Sequence, residues 1–225
     1  MIVLHYNPGA ASLAPHVLLH EMGVPFELAL VDRSMAAQKS PAYLALNPNG
    51  LIPVLTDGEL VLYETAAILL HLADKPLVQG QAATALAPPL APPLGSAERA
   101  HYYKWMAWLT NTLQAMLIHY FYPERMVAEG NTEGAAQVKA RAMARVHGLL
   151  EQLDAQLASH GEPWLLGAQY RAVDPFAWML TRWTRNFAER PARSFVHIAA
   201  FQQRMLERPA VQAAIRAEGL QAPHA

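Results

Sequence analysis

The stretch Asn47-Pro48-Asn49-Gly50-Leu51-Ile52-Pro53-Val54-Leu55 constrains the fold of this chain more than any other. It is an apolar residue before a proline, then a short apolar run. Proline cannot donate to a sheet ladder, so Pro53 belongs at the mouth of a strand. A cis Ile52-Pro53 bond would turn the Ile52 N–H and C=O outward, free to pair with an extended peptide. Ten residues later, Tyr63-Glu64-Thr65-Ala66-Ala67-Ile68 opens a helical pattern. A helix start presents unpaired N–H groups and suits an anion. A peptide-pairing edge beside such a helix start suits a small acidic peptide. Taken alone, Glu64-Thr65 also reads as an ordinary helix start with a dipole-favoured acid.

Around this stretch, residues 2–6 and 27–31 read as strands and 13–23 as a helix. Residues 41–46 carry a weak helical signal. Residues 52–56 and 59–62 form two strands joined at Asp57-Gly58, a hairpin signal. Residues 64–74 are helical. The order βαβαββα suits a mixed sheet with helices on its faces. Residues 79–95 are rich in Ala and Pro and predict an extended linker. Beyond them, residues 96–121, 132–159, 175–188, 194–207 and 209–217 show helical spacing and no convincing strand. The expected domains are therefore 1–78 (α/β), a linker over 79–95, and 96–225 (all helical).

The chain has 225 residues, 53% hydrophobic and 16% charged, enough for one or two buried cores. The net charge of -1 and the lack of charge runs argue against nucleic acid as a partner. No apolar stretch is long enough to span a membrane. Met-Ile-Val-Leu-His-Tyr reads as a first strand rather than a signal peptide. Cysteine is absent, which excludes disulfides, thiolate metal sites and a protein thiol nucleophile. It also fits a cytoplasmic setting. His16 and His20 have metal-ligand spacing, but no HExxH or third ligand accompanies them, so no metal is expected.

This two-part layout resembles the cytosolic glutathione transferases. These have a thioredoxin-like N-terminal domain and an all-α C-terminal domain. Tyr6-Asn7-Pro8-Gly9-Ala10-Ala11-Ser12-Leu13-Ala14-Pro15-His16 is most similar to the bacterial beta class. Trp164-Leu165-Leu166-Gly167, Val173-Asp174 and the tail Arg208-Pro209-Ala210-Val211 with Ala217-Glu218-Gly219-Leu220 also fit. The resemblance implies glutathione as cosubstrate, bound along the first domain. The Ile52 backbone, exposed by Pro53, would pair with its cysteinyl part. Glu64 would take the γ-glutamyl ammonium, Thr65 its carboxylate, and Lys39 the glycyl carboxylate.

The chain departs from the beta-class pattern at Ala11, where many relatives carry cysteine. A protein–glutathione mixed disulfide is thus impossible. What remains is ionising the glutathione thiol. Ser12 is the first candidate donor, through its hydroxyl and its own or the Leu13 N–H. Its alternative reading is a helix N-cap. Tyr6 is the rival donor. The resemblance sets the electrophile against the helix over 101–122, with Gln114, Ile118 and Tyr122 as lining. It also implies a homodimer. The implied activity is conjugation of glutathione to an apolar electrophile. A glutathione-dependent isomerase or dehalogenase, or a non-catalytic binding scaffold, are the alternatives. In Arg171-Ala172-Val173-Asp174-Pro175 the usual Ser or Thr cap is replaced, and Asp174 is expected to cap the following helix.

Overall fold

The computed structural model describes residues 1–75 and 89–225. It divides into two compact units: Met1–Pro92 with Met205–His224, and Pro93–Arg204 with Ala225. Residues 205–224 therefore group with the N-terminal unit, whereas the sequence pattern places all of 96–225 in the helical part. Residues 76–88, which include most of the expected linker, lie outside the described residues.

The first unit holds strands β1 (Ile2–Tyr6), β2 (Phe26–Leu30), β3 (Val54–Asp57) and β4 (Leu60–Tyr63). Their order in the sheet is β2-β1-β3-β4. β1 runs parallel to β2 and antiparallel to β3, and β3 and β4 form the hairpin. Helix α1 (Leu13–Met22) is the crossover that a parallel β1–β2 pair requires. It ends at Gly23, which sits at φ 64, a left-handed stop open to glycine. The short α2 (Pro41–Leu46) is capped by Ser40, whose hydroxyl accepts the Tyr43 N–H at 3.2 Å. Helix α3 (Thr65–Asp74) follows β4. Leu4, Leu13, Val17, Leu18, Leu55, Ile68 and Leu69 are fully buried. Each such side chain contributes roughly 1.5–3 kcal/mol by leaving water.

β3 starts at Val54, not at residue 52. The Ile52-Pro53 peptide is cis and lies outside the ladder. From the chain's far end, α9 (Pro209–Ala217) packs on α1. Arg208 reaches Glu21 of α1 through two hydrogen bonds, at 2.5 and 2.8 Å.

The second unit is helical: α4 (Ala97–Trp108), α5 (Ala115–Phe121), α6 (Thr132–Ala158), α7 (Val173–Trp183) and most of α8 (Val196–Glu207). The single helix expected over 96–121 is interrupted by a π-turn at Leu109–Gln114. Leu109, Leu113 and Leu117 follow one another four residues apart, and all are fully buried. Such a series stays on one face of a regular helix as well, so the leucine spacing does not account for the wider turn. Within it, Thr110 donates its hydroxyl to the Met106 carbonyl at 2.9 Å, a bond of the kind that bends helices.

The helix expected over 175–188 spans Val173–Trp183 instead. Asp174 lies inside its first turn and does not cap it, so that expectation is corrected. Its buried carboxylate accepts the Leu165 N–H at 2.9 Å and the Arg171 N–H at 2.7 Å. It ties two stretches of loop to the start of α7. The role remains one of folding.

Candidate active site

The hairpin register gathers the sequence-predicted residues of the first unit. Val54 pairs with Tyr63, so Ile52-Pro53 and Glu64-Thr65 leave the ladder side by side. His5 pairs with Val54, which brings Tyr6, the last residue of β1, to the same end of the sheet. The loop Asn7–Ser12 continues from Tyr6 into α1. Lys39 lies on a single 3-10 turn, Ala37–Lys39. That turn abuts Gly50: a side chain there would meet the Gln38 carbonyl at 3.0 Å, and Gly50 sits at φ 60. Tyr6, Ala11, Ser12, Lys39, Ile52, Pro53, Glu64 and Thr65 thus all belong to one compact unit. Gln114, Ile118 and Tyr122 belong to the other, each half-buried along or just beyond the π-turn and α5. The Arg125 guanidinium stacks over the Tyr122 ring at 4.1 Å.

Several of these groups have no protein partner. Among the described residues the Ile52 N–H and C=O make no hydrogen bond. The Thr65 hydroxyl, the Glu64 carboxylate and the Lys39 ammonium are likewise unpaired there. Glu64 sits at φ 74, a region costly for a residue with a side chain. Its carbonyl accepts the Ile68 N–H, and the N–H groups of the first turn of α3 stand beyond it. The site therefore offers an anion, a cation and a helix start around an open peptide edge.

The loop before α1 is built by side chains that hold backbone. Ser12 is wholly buried. Its hydroxyl accepts the Asn7 N–H and donates to the Asn7 carbonyl, both at 3.2 Å. One expectation is corrected by this: Ser12 makes no side-chain cap. Its hydroxyl engages Asn7 as both donor and acceptor, and the Ser12 N–H has no acceptor among the described residues. The Leu13 N–H is also committed, to the Ala10 carbonyl at 3.0 Å. The Ala11 N–H has no acceptor among the described residues, and Ala11 keeps a little exposure. The Tyr6 phenol is half-buried and has no hydrogen-bond partner there either. The Asn7 amide donates to the Val31 carbonyl at 3.1 Å, fixing the loop to the strand end.

Glu218, just past α9, completes the loop. One carboxylate oxygen accepts the Gly9 N–H at 2.8 Å, and the other lies 2.8 Å from Nδ1 of His16. Both Glu218 and His16 side chains are fully buried. The Ala217-Glu218-Gly219-Leu220 tail fits the family pattern, yet nothing in the sequence assigns Glu218 a role. An acid 202 residues from its histidine leaves no local pattern to read. The His16–His20 pair stacks at 5.0 Å, and no cluster of metal-ligating side chains occurs among the described residues. No helix there is long and apolar enough to cross a membrane.

Comparison with known proteins agrees with this geometry. Residues 1–74 match the family described as "Glutathione S-transferase, N-terminal domain", and residues 107–209 match "Glutathione S-transferase, C-terminal domain". The chain is 33% identical over 217 residues to glutathione S-transferase GST-4.5 of Xanthomonas campestris pv. campestris, covering 96% of this chain and 98% of the relative. The solved glutathione S-transferase of Xylella fastidiosa superposes with a TM-score of 0.82 at 32% identity, over 98% of this chain and all of that one. A sphingomonad glutathione S-transferase complexed with glutathione gives 0.77 at 30%, covering 97% of this chain and all of that one. The beta-class enzyme of Sphingomonas chungbukensis gives 0.77 at 28%, with the same coverage. This chain belongs to the glutathione transferase family.

Proposed function

We propose that this protein binds glutathione along its first unit, ionises the thiol, and transfers the glutathionyl group to an apolar electrophile. The observation that carries the reading is the set of unpartnered groups at one end of the sheet. Glutathione complements each of them. Its cysteinyl backbone pairs with Ile52, which Pro53 holds out of the ladder. Its γ-glutamyl ammonium meets Glu64. The γ-glutamyl carboxylate meets the Thr65 hydroxyl and the first N–H groups of α3. Its glycyl carboxylate meets Lys39. The sphingomonad relative complexed with glutathione supports this ligand. The relatives are named transferases, which favours conjugation over the isomerase, dehalogenase and scaffold alternatives.

The thiol comes to the N-terminal end of α1. A thiol pKa near 8.5 leaves only a few per cent thiolate at neutral pH. Lowering it by two units takes about 2.7 kcal/mol of preference for the anion. The dipole of a ten-residue helix supplies up to about 1–2 kcal/mol. A hydrogen bond to a charged group supplies roughly 1.5–3 kcal/mol. The Ala11 N–H provides that bond, with the Tyr6 phenol as the side-chain donor. Ser12 acts from behind, by shaping the loop. The thiolate then attacks an electrophilic carbon, forming the C–S bond as a bond to that carbon breaks, its electron pair departing with the leaving group or, in an addition, moving onto the substrate's acceptor atom. Gln114, Ile118 and Tyr122 are the proposed lining, the Gln114 carboxamide and Tyr122 phenol supplying its polar groups. A homodimer is proposed on family grounds.

Ultraviolet absorbance of bound glutathione across pH tests this directly. An apparent thiol pKa well below that of free glutathione is expected, and Tyr6→Phe should raise it. Binding with an unshifted pKa refutes thiol activation. Absence of binding refutes the roles given to Ile52, Glu64 and Thr65.

A further inference from the structure

We infer that Tyr43 and Asn47 are positioning residues that set the direction of the Ile52 N–H, and so the selectivity for a ligand carbonyl on the peptide edge. The inference rests on the glutathione reading above and concerns which side chains create its peptide-pairing edge.

The Leu51 carbonyl receives two donors. The Tyr43 hydroxyl donates to it at 2.8 Å, and the Asn47 carboxamide nitrogen at 2.8 Å. Two donors occupy both lone pairs of a carbonyl oxygen. That oxygen shares a rigid plane with the Ile52 N–H, which points the opposite way. Fixing the Leu51 oxygen toward the protein therefore aims the Ile52 N–H away from it, where no acceptor is found among the described residues. The exposed Leu51 side chain contributes little to this, since it faces water.

Both donors are themselves held. Asn47 is buried, and its side-chain oxygen accepts the Asn49 N–H at 3.0 Å. Its carbonyl accepts the Gly50 N–H at 2.9 Å. Tyr43 is buried in a small core with Val31 and Val54, against which Ile52 and Tyr63 pack. Its ring meets His5 edge-on at 6.0 Å. Burial pushes the Tyr43 phenol up to about 12, so it stays a donor throughout the working pH range. One side chain thus supports Ile52 through its ring and aims it through its hydroxyl.

Two variants and two inhibitors test the inference. Tyr43→Phe keeps the ring and removes one donor. Asn47→Asp keeps the oxygen that holds Asn49 and removes the other donor, from outside the Tyr43 core. The inhibitors are S-methylglutathione and its analogue with the cysteinyl carbonyl reduced to methylene, which gives the Ile52 N–H nothing to bond. The full chain should bind S-methylglutathione about ten-fold better than the analogue. In each variant that ratio should fall to about two-fold, with the glutathione KM raised roughly three- to ten-fold and kcat at saturating glutathione little changed. Folded variants that keep the wild-type ratio overturn the inference, including when KM and thermal midpoint worsen together. If Tyr43→Phe fails to fold, the inhibitor ratio in Asn47→Asp decides between these outcomes alone. A wild-type protein that binds glutathione but does not separate the two inhibitors also overturns it, leaving glutathione binding intact. A wild-type protein that binds neither inhibitor nor glutathione overturns the underlying reading instead.

Discussion

Glu218→Ala should be the most damaging single truncation in the loop that precedes α1. The native carboxylate accepts the Gly9 N–H and faces Nδ1 of His16, both at 2.8 Å, and the two side chains are fully buried. Removing it strands a buried backbone donor and a buried imidazole nitrogen. Nε2 of His16 already has no partner among the described residues, so the ring has no second bond to fall back on. Each stranded group costs roughly 1–3 kcal/mol. The expected loss for the two is about 2–6 kcal/mol, which in a chain of this size lowers the thermal midpoint by roughly 4–24 °C. Glu218→Gln keeps an oxygen for Gly9 and a donor for His16, and should recover about half of it. Arg208→Ala is the internal comparison. It removes the pair with Glu21, which is partly open to water, and should cost roughly 1 kcal/mol or less. Urea unfolding followed by circular dichroism measures all three. A Glu218→Ala variant within about 1 kcal/mol of wild type would show that water takes over both bonds, and would refute the reasoning.

Other perturbations separate folding from chemistry. Asp174→Ala strands the Leu165 and Arg171 N–H groups and should cost roughly 2–4 kcal/mol by the same urea assay. Ser12→Ala should lower stability by about 1–3 kcal/mol through the unsatisfied Asn7 groups, and raise the thiol pKa of bound glutathione through the loop alone, by no more than the roughly one unit expected of Glu218→Ala. A rise well beyond that would restore the hydroxyl as a direct donor. Glu64→Gln should raise the glutathione KM about ten-fold with little change in kcat, read from initial rates at varied glutathione. Acid should weaken the fold through two imidazoles. Burial lowers the pKa of His5, and burial followed by the His16 charge lowers that of His20. Their folded pKa values lie below the unfolded 6.5, so their contribution is present above pH 6.5 and is lost as pH falls through the folded values. Urea midpoints should fall between pH 7 and 5, and His20→Gln should flatten that slope.

Much of the fold was legible because its signals are local. Asp57-Gly58 marked the hairpin, and the proline density marked the change of composition. The spacing from Ile52 to Glu64 followed from one antiparallel pairing, Val54 with Tyr63. Sequence reading failed where a contact between distant residues decides the outcome. The Ser12 hydroxyl looks like a cap until Asn7 claims it. Asp174 looks like a cap until Leu165 and Arg171 present their N–H groups. The π-turn at Leu109–Gln114 left no mark in the apolar spacing, because leucines four residues apart share a face of a regular helix too. Residues 205–224 return to the first unit because α9 packs on α1, which no linker composition foretells.

The corrected roles share a physical cause, and it bears on the missing cysteine. In this site most side chains hold backbone rather than ligand. Ser12 holds Asn7, Asn7 holds Val31, Glu218 holds Gly9, and Tyr43 with Asn47 holds Leu51. The groups left open are main-chain donors and acceptors, with Glu64, Thr65, Lys39 and Tyr6 around them. A backbone N–H is the same whichever side chain its residue carries. Alanine at position 11 therefore removes a thiol without removing a hydrogen-bond donor, provided that the loop keeps its shape. That condition makes loop geometry, rather than the side chain at position 11, the determinant of thiol ionisation. Ala11→Ser should then leave the thiol pKa of bound glutathione within about half a unit of wild type, since the N–H is unchanged. Glu218→Ala, which touches no ligand, should raise it by about one unit by releasing the Gly9 turn, a loss of roughly 1.4 kcal/mol of thiolate preference. The same ultraviolet titration reads both variants. A large shift in Ala11→Ser with none in Glu218→Ala would reverse the assignment and return the chemistry to the side chain.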